Sequence, residues 1–126
     1  MKSKIQRKSP ANRVLRAKMK PVSEKAIQAQ ILAWLKTTEI LHWRQNAGVL
    51  FVGSRMVNLG SAGLPDIVVV VPPGGRFLGL EVKSEAGRLR PAQEAFKAKL
   101  EASGGIYEVV RTLGQAKEAV ERAFNG

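Results

Sequence analysis

The stretch GLPDIVVVVPPGGRFLGLEVK, residues 63–83, decides the fold. Ile67–Val71 is apolar without a break, the pattern of a strand covered on both faces. Pro72-Pro73-Gly74-Gly75 is a strong turn signal. Phe77–Lys83 then returns as a second strand. Side chains alternate along a strand, so Leu78, Leu80 and Val82 point one way and Phe77, Gly79, Glu81 and Lys83 the other. A hairpin closed at 72–75 sets Asp66 almost opposite Glu81, with side chains about 5 Å apart.

Working outward, Ser23 is placed to cap a helix over about 24–37, in which Ile27, Ile31, Trp34 and Leu35 share one face. Glu24 falls on that inward face at the first turn. Residues 41–59 read as two short strands, and Gly60–Gly63 as a Gly/Ser loop. After the hairpin, Pro91 suits the first position of a helix over about 91–103, ended by Gly104-Gly105. Ala92, Ala95, Phe96, Ala98 and Leu100 form much of its apolar side. IYEVV (106–110) is a further strand, and Thr112 with Gln115 has capping-box spacing for a last helix over about 113–124. The order α-β-β-β-α-β-α predicts an α/β domain with a mixed sheet and flanking helices.

The 126 residues suit one domain, residues 22–126, behind a basic tail, residues 1–21. Twenty-one Lys and Arg stand against ten Asp and Glu, a formal net charge of +11. The tail holds eight of those cations (among them Arg16, Lys18 and Lys20) and no acid. The remaining 13 basic and 10 acidic residues leave the rest of the chain at +3. Such a balance belongs to a polyanion binder, with the tail gripping phosphates or serving as a solvated arm. No apolar run approaches the ~20 residues of a membrane span, and the start of the chain lacks a signal-peptide pattern. With no cysteine and a single histidine, thiol nucleophiles, zinc–thiolate sites and histidine clusters are excluded. His42 has no evident partner and reads as structural.

Asp66 is the only aspartate, and Glu81-Val82-Lys83 the only Glu-x-Lys. Two carboxylates held close repel unless a cation lies between them. A hard divalent ion does this, and Mg2+ takes one or two carboxylates while keeping several waters. The Val82 carbonyl is a candidate further ligand. Glu24 is another, directly or through a water. Lys83 would neutralise charge growing on a phosphate. Together these residues suit metal-assisted hydrolysis of a phosphodiester. The competing reading is an exposed strand with a surface ion pair, worth ~0–1 kcal/mol.

With these motifs in view, the chain resembles the VRR-NUC family of the PD-(D/E)XK nuclease superfamily. GLPD (63–66) and EVK (81–83) look like that family's metal-binding core. SEKAIQAQILAWL (23–35) resembles its leading helix, with the acidic residue at Glu24. RLRPAQEAF (88–96) resembles the helix after the active-site strand, which carries a glutamine, here Gln93. The resemblance implies a restriction-endonuclease-like αβββαβ core and a C-terminal helix. It implies Mg2+- or Mn2+-dependent cleavage of DNA, and a catalytic role for the Gln93 amide near the attacking water or the scissile phosphate. Stand-alone members resemble Holliday-junction resolvases. This implies branched DNA, a homodimer, and the cytoplasm of a bacterium or phage-infected host. The alternatives are a flap or duplex nuclease, or a DNA-binding module of this fold without chemistry. Arg88 and Arg90, beside a helix N-terminus, are placed to touch the DNA backbone, as are Arg16, Lys18 and Lys20 of the tail. Gln45 and Asn46 are candidates to face the substrate. Trp34 and Trp43 read as core or dimer contacts.

Overall fold

A computed structural model describes residues 22–45, 49–58 and 62–126. Among these residues, three helices, α1 (Glu24–Lys36), α2 (Pro91–Ala102) and α3 (Leu113–Asn125), accompany six strands: β1 (His42–Arg44), β2 (Val49–Val52), β3 (Arg55–Asn58), β4 (Ile67–Val71), β5 (Arg76–Val82) and β6 (Ile106–Val110). The main sheet has the order β1-β4-β5-β6. β1 and β5 both run antiparallel to β4, while β6 runs parallel to β5. The sheet is therefore mixed, and α2 supplies the crossover that a parallel pair requires. The basic tail, including Arg16, Lys18 and Lys20, lies outside the described residues, as do Asn46 and part of the Gly60–Gly63 loop.

The central hairpin has the register the sequence predicts. Ile67 pairs with Leu80 and Val71 with Arg76, so the next step beyond the ladder brings Asp66 level with Glu81. Alternation then sorts the two faces. Ile67, Val69, Val71, Leu78, Leu80 and Val82 join Val110 beneath α1 and α3, which contribute Ile27, Ile31 and Leu35, and Ala116, Ala119, Val120 and Ala123. The opposite face takes α2, whose Phe96 ring lies 6.2 Å from that of Tyr107. Glu81 sits on this second face, against α2.

The helix ends follow their capping chemistry. The Ser23 hydroxyl accepts from Ala26 N–H at 3.1 Å, and that of Thr112 from Gln115 N–H at 3.1 Å. Gln115 reaches back not to the cap but to Arg111 N–H, at 2.7 Å.

Two expectations change. The described residues between 41 and 59 form three strands, not two: β1 joins the main sheet, and β2 and β3 pair with each other in a two-stranded sheet. Gly53 has φ +63 at the first of two turn residues, the sign a type II′ hairpin turn requires. The apolar VLFV run therefore folds back on itself instead of extending the sheet. In α2, no residue is fully buried. Its half-buried side is made by Gln93, Phe96, Lys97 and Leu100, while Ala92, Ala95 and Ala98, expected on the apolar side, are exposed.

Candidate active site

The loop before Asp66 is clamped by two glycines. Gly63 has φ +86, and a Cβ there would lie 2.2 Å from the Ala92 carbonyl oxygen. A Cβ on Gly79 would lie 2.6 Å from Pro65 Cγ. Neither position has room for a side chain, so the backbone of 63–65 seats directly on α2 and β5. Asp66 emerges from this seat with its direction fixed. Its Oδ2 accepts from Val82 N–H at 2.8 Å, and its own carbonyl accepts from Gln45 N–H at 2.7 Å. Burial raises the Asp66 pKa above the ordinary carboxylate value, the Val82 N–H opposing it.

Glu81 and Lys83 are 3% and 6% exposed, which rules out a surface ion pair. Lys83 Nζ lies 3.5 Å from Glu81 Oε2. That oxygen also accepts from Gln93 Nε2 at 2.9 Å, and Oε1 accepts from the Tyr107 hydroxyl at 3.3 Å. Burial first, and the charge of Asp66 second, push the Glu81 carboxyl up to about 7. Burial and the Glu81 charge push the Tyr107 phenol up, so it stays a donor at neutral pH. Gln93 is itself fixed: its Oε1 accepts from Arg90 N–H at 2.8 Å at the start of α2. Its Nε2 is thereby left to face Glu81.

Glu24, at the first turn of α1, accepts from Ser84 N–H at 3.0 Å through Oε2. This bond ties the helix to the chain just beyond Lys83. Arg111 holds the same turn from the other side, donating to the carbonyls of Ser84 and of Gly87, the latter at 2.9 Å.

The three carboxylates, Lys83 and Gln93 line one open cleft of about 440 Å3. Glu24, Asp66, Glu81, Lys83 and Gln93, all singled out from sequence, meet there, and Arg90 stands at its rim with Gln45. Arg88 is exposed and does not line it. Three participants were missed. Gln28 follows Glu24 by four residues, so it shares that face of α1, and this spacing was a usable signal. Arg44 and Tyr107 gave none, because both enter through long-range strand pairing, of β1 on β4 and β6 on β5. His42, expected to lack a partner, has its Nδ1 2.7 Å from the Ile40 carbonyl oxygen.

The VRR-NUC domain model matches residues 6–113. The chain belongs to the VRR-NUC family. This is a domain of nuclease type, and so a hydrolase. The match spans every cleft residue named above and ends at the first residue of α3. A solved "VRR_NUC domain" is similar at 22% identity and TM-score 0.56, over 78% of this chain and 94% of that one. A "VRR_NUC domain protein" is similar at 16% identity and TM-score 0.54, over 81% and 88%. Both share the α/β fold. No curated protein matches.

Among the described residues, the cleft offers carboxylate oxygens from Glu24, Asp66 and Glu81 and no histidine or cysteine. Among the described residues no three His, Cys, Asp or Glu side chains gather into a metal-binding group. A cation here would take two carboxylates, from Asp66 and Glu81, and complete its shell with backbone carbonyl and water. That is the habit of Mg2+ and not of zinc. Among the described residues no helix is long and apolar enough to cross a membrane.

Proposed function

We propose that the protein is a Mg2+- or Mn2+-dependent DNA endonuclease that hydrolyses phosphodiester bonds in branched DNA such as Holliday junctions. The observation that carries this reading is the convergence of Asp66 and Glu81, both with raised pKa values, with buried Lys83 at 3.5 Å from Glu81 in one open cleft. Two facing carboxylates in a partly dry site are costly as paired anions, and a divalent cation removes that cost. The oxygen-only donor set fits such an ion, with Asp66, Glu81 and the Val82 carbonyl as its ligands and Glu24 behind a water. When bound, the cation supplies charge neutralisation and a more acidic water.

The chain's own groups do the rest. Lys83 donates to the non-bridging phosphate oxygens as charge develops there. Gln93 and Tyr107 hold the two oxygens of Glu81 in place, so the carboxylate need not reorganise during turnover. Glu24 secures the turn after Lys83. Arg90 and Arg88, beside the N-terminus of α2, grip the DNA backbone, and the basic tail 1–21 adds a sequence-independent hold on phosphates. A two-armed substrate is most simply met by a homodimer with two symmetric sites.

A panel of four-way junction, flap, splayed-arm and plain duplex DNA, incubated with Mg2+, Mn2+ or EDTA, tests the reading alongside the protein's mass in solution. Cation-dependent cleavage with branched forms cut fastest is the expected result. Binding to these DNAs without cleavage in either cation would leave a DNA-binding module of nuclease fold instead.

A further inference from the structure

A second groove, of about 380 Å3, runs along the edge of the sheet between α1 and β1. It is lined by Leu32, Ala33, Lys36, His42, Trp43 and Arg44. Arg44 also lines the cleft that holds Asp66 and Glu81, so the two cavities share this residue. Among the described residues, the groove's lining contains two fixed cations and a histidine and no acid. Trp43 is 42% exposed, a large apolar ring left facing solvent beside a nuclease cleft. Its Nε1–H donates to Gln45 Oε1 at 3.1 Å.

That hydrogen bond has a direction that matters. An indole N–H can only donate, so the Gln45 atom facing it is the carbonyl oxygen, and the amide NH2 is turned away. Gln45 lines the cleft, and its backbone is bonded to the carbonyl of Asp66. The Trp43–Gln45 pair therefore spans the two cavities. Trp43 lines one and Gln45 the other. A cationic groove with an aromatic floor is the general solution for holding a single strand, since every base has a face to stack and every phosphate a charge to meet.

We propose that the β1-edge groove is a binding site for an unpaired nucleic-acid strand leaving the catalytic cleft. Trp43 stacks on one of its bases, and Arg44 and Lys36 pair with its phosphates. This rests on the nuclease reading of the cleft and adds to it the state of the strand beside the cut. The groove thus adds a hold on any single-stranded arm that a branched substrate carries.

Binding is read separately from cleavage, with the full chain in Ca2+. Tryptophan emission is followed while oligothymidylate, a single-tailed duplex or a blunt duplex is added. Oligothymidylate should quench the emission, and Trp43→Phe should remove most of the quench while still binding, since Trp34 is the only other indole. Trp43→Ala should weaken binding of oligothymidylate and tailed duplex about tenfold, the scale of one base–aromatic stack. It should affect the blunt duplex less, and Lys36→Ala should act in the same direction. An exposed ring is removable without unfolding, and circular dichroism of the variant checks this. The proposal is overturned if Trp43→Ala binds tailed DNA like the wild type or if the quench survives in Trp43→Phe. It is also overturned if Trp43→Ala halves the mass in solution, for a second copy would then occupy the groove. Absence of cleavage in Mg2+ and Mn2+ would instead count against the nuclease reading and leave these binding results intact.

Discussion

Glu81 accepts hydrogen bonds from Gln93 and Tyr107, lies beside Lys83, and is still pushed up to about 7 by burial and by Asp66. The sign of the resulting pH effect follows from linkage. Below about 4.5, its ordinary value, folded and unfolded chains both hold the proton and nothing is lost. Between about 4.5 and 7 the unfolded chain releases it and the folded chain keeps it, so stability falls as pH rises; above about 7 the loss is complete. Chelated protein should therefore melt lower at pH 8 than at pH 5.5 through this group, and Glu81→Gln should flatten the slope. A cation that needs both carboxylates ionised should raise Tm more at pH 8 than at pH 5.5. An equal Mg2+ shift at both pH values would mean that Glu81 is not a ligand. Lys83 carries a separate expectation. Lys83→Ala should keep the Mg2+-induced rise in Tm and lose turnover; loss of both would make Lys83 a structural residue.

At the scale of elements, the site depends on how tightly the loop at 63–65 sits on α2 and β5. Gly79→Ala pushes a methyl into Pro65, and overpacking of this kind costs about 1–3 kcal/mol. Thermal melts should show a fall of several degrees, accompanied by weaker Mg2+ binding as Asp66 shifts. A variant as stable as the wild type would show that the loop yields freely. This hairpin was also the most legible part of the sequence. An unbroken valine run, a Pro-Pro-Gly-Gly turn and a strand of period two leave one register, and that register alone places Asp66 by Glu81. The parallel pairing of β6 on β5 was not legible. It arises through the α2 crossover, with no local signal for its register, so Tyr107 beneath Glu81 stayed hidden. Arg44 was hidden for the same reason on the other side, where β1 meets β4 across more than twenty intervening residues of chain. The contact of Gln93 with Glu81 depends on the phase of α2 against the sheet, which helical periodicity alone cannot give when the helix buries no residue fully.

Over the whole molecule, charge is divided unevenly. Eight of the 21 basic residues lie in the first 20, and the remainder carries a net +3. If the tail grips phosphates, its removal should reduce the dependence of DNA binding on salt, because fewer counterions are released. Deleting residues 1–20 should thus give a shallower plot of log affinity against log salt. An unchanged slope would make the tail a bystander. If Asp66 and Glu81 form the hydrolytic centre, following cleavage and binding of one branched DNA by Asp66→Asn in Mg2+ reads it out. The charge-stabilising effect of a metal, several kcal/mol, predicts a loss of about a thousandfold or more in cleavage rate with DNA affinity close to wild type. Cleavage at the wild-type rate would place the hydrolytic centre elsewhere.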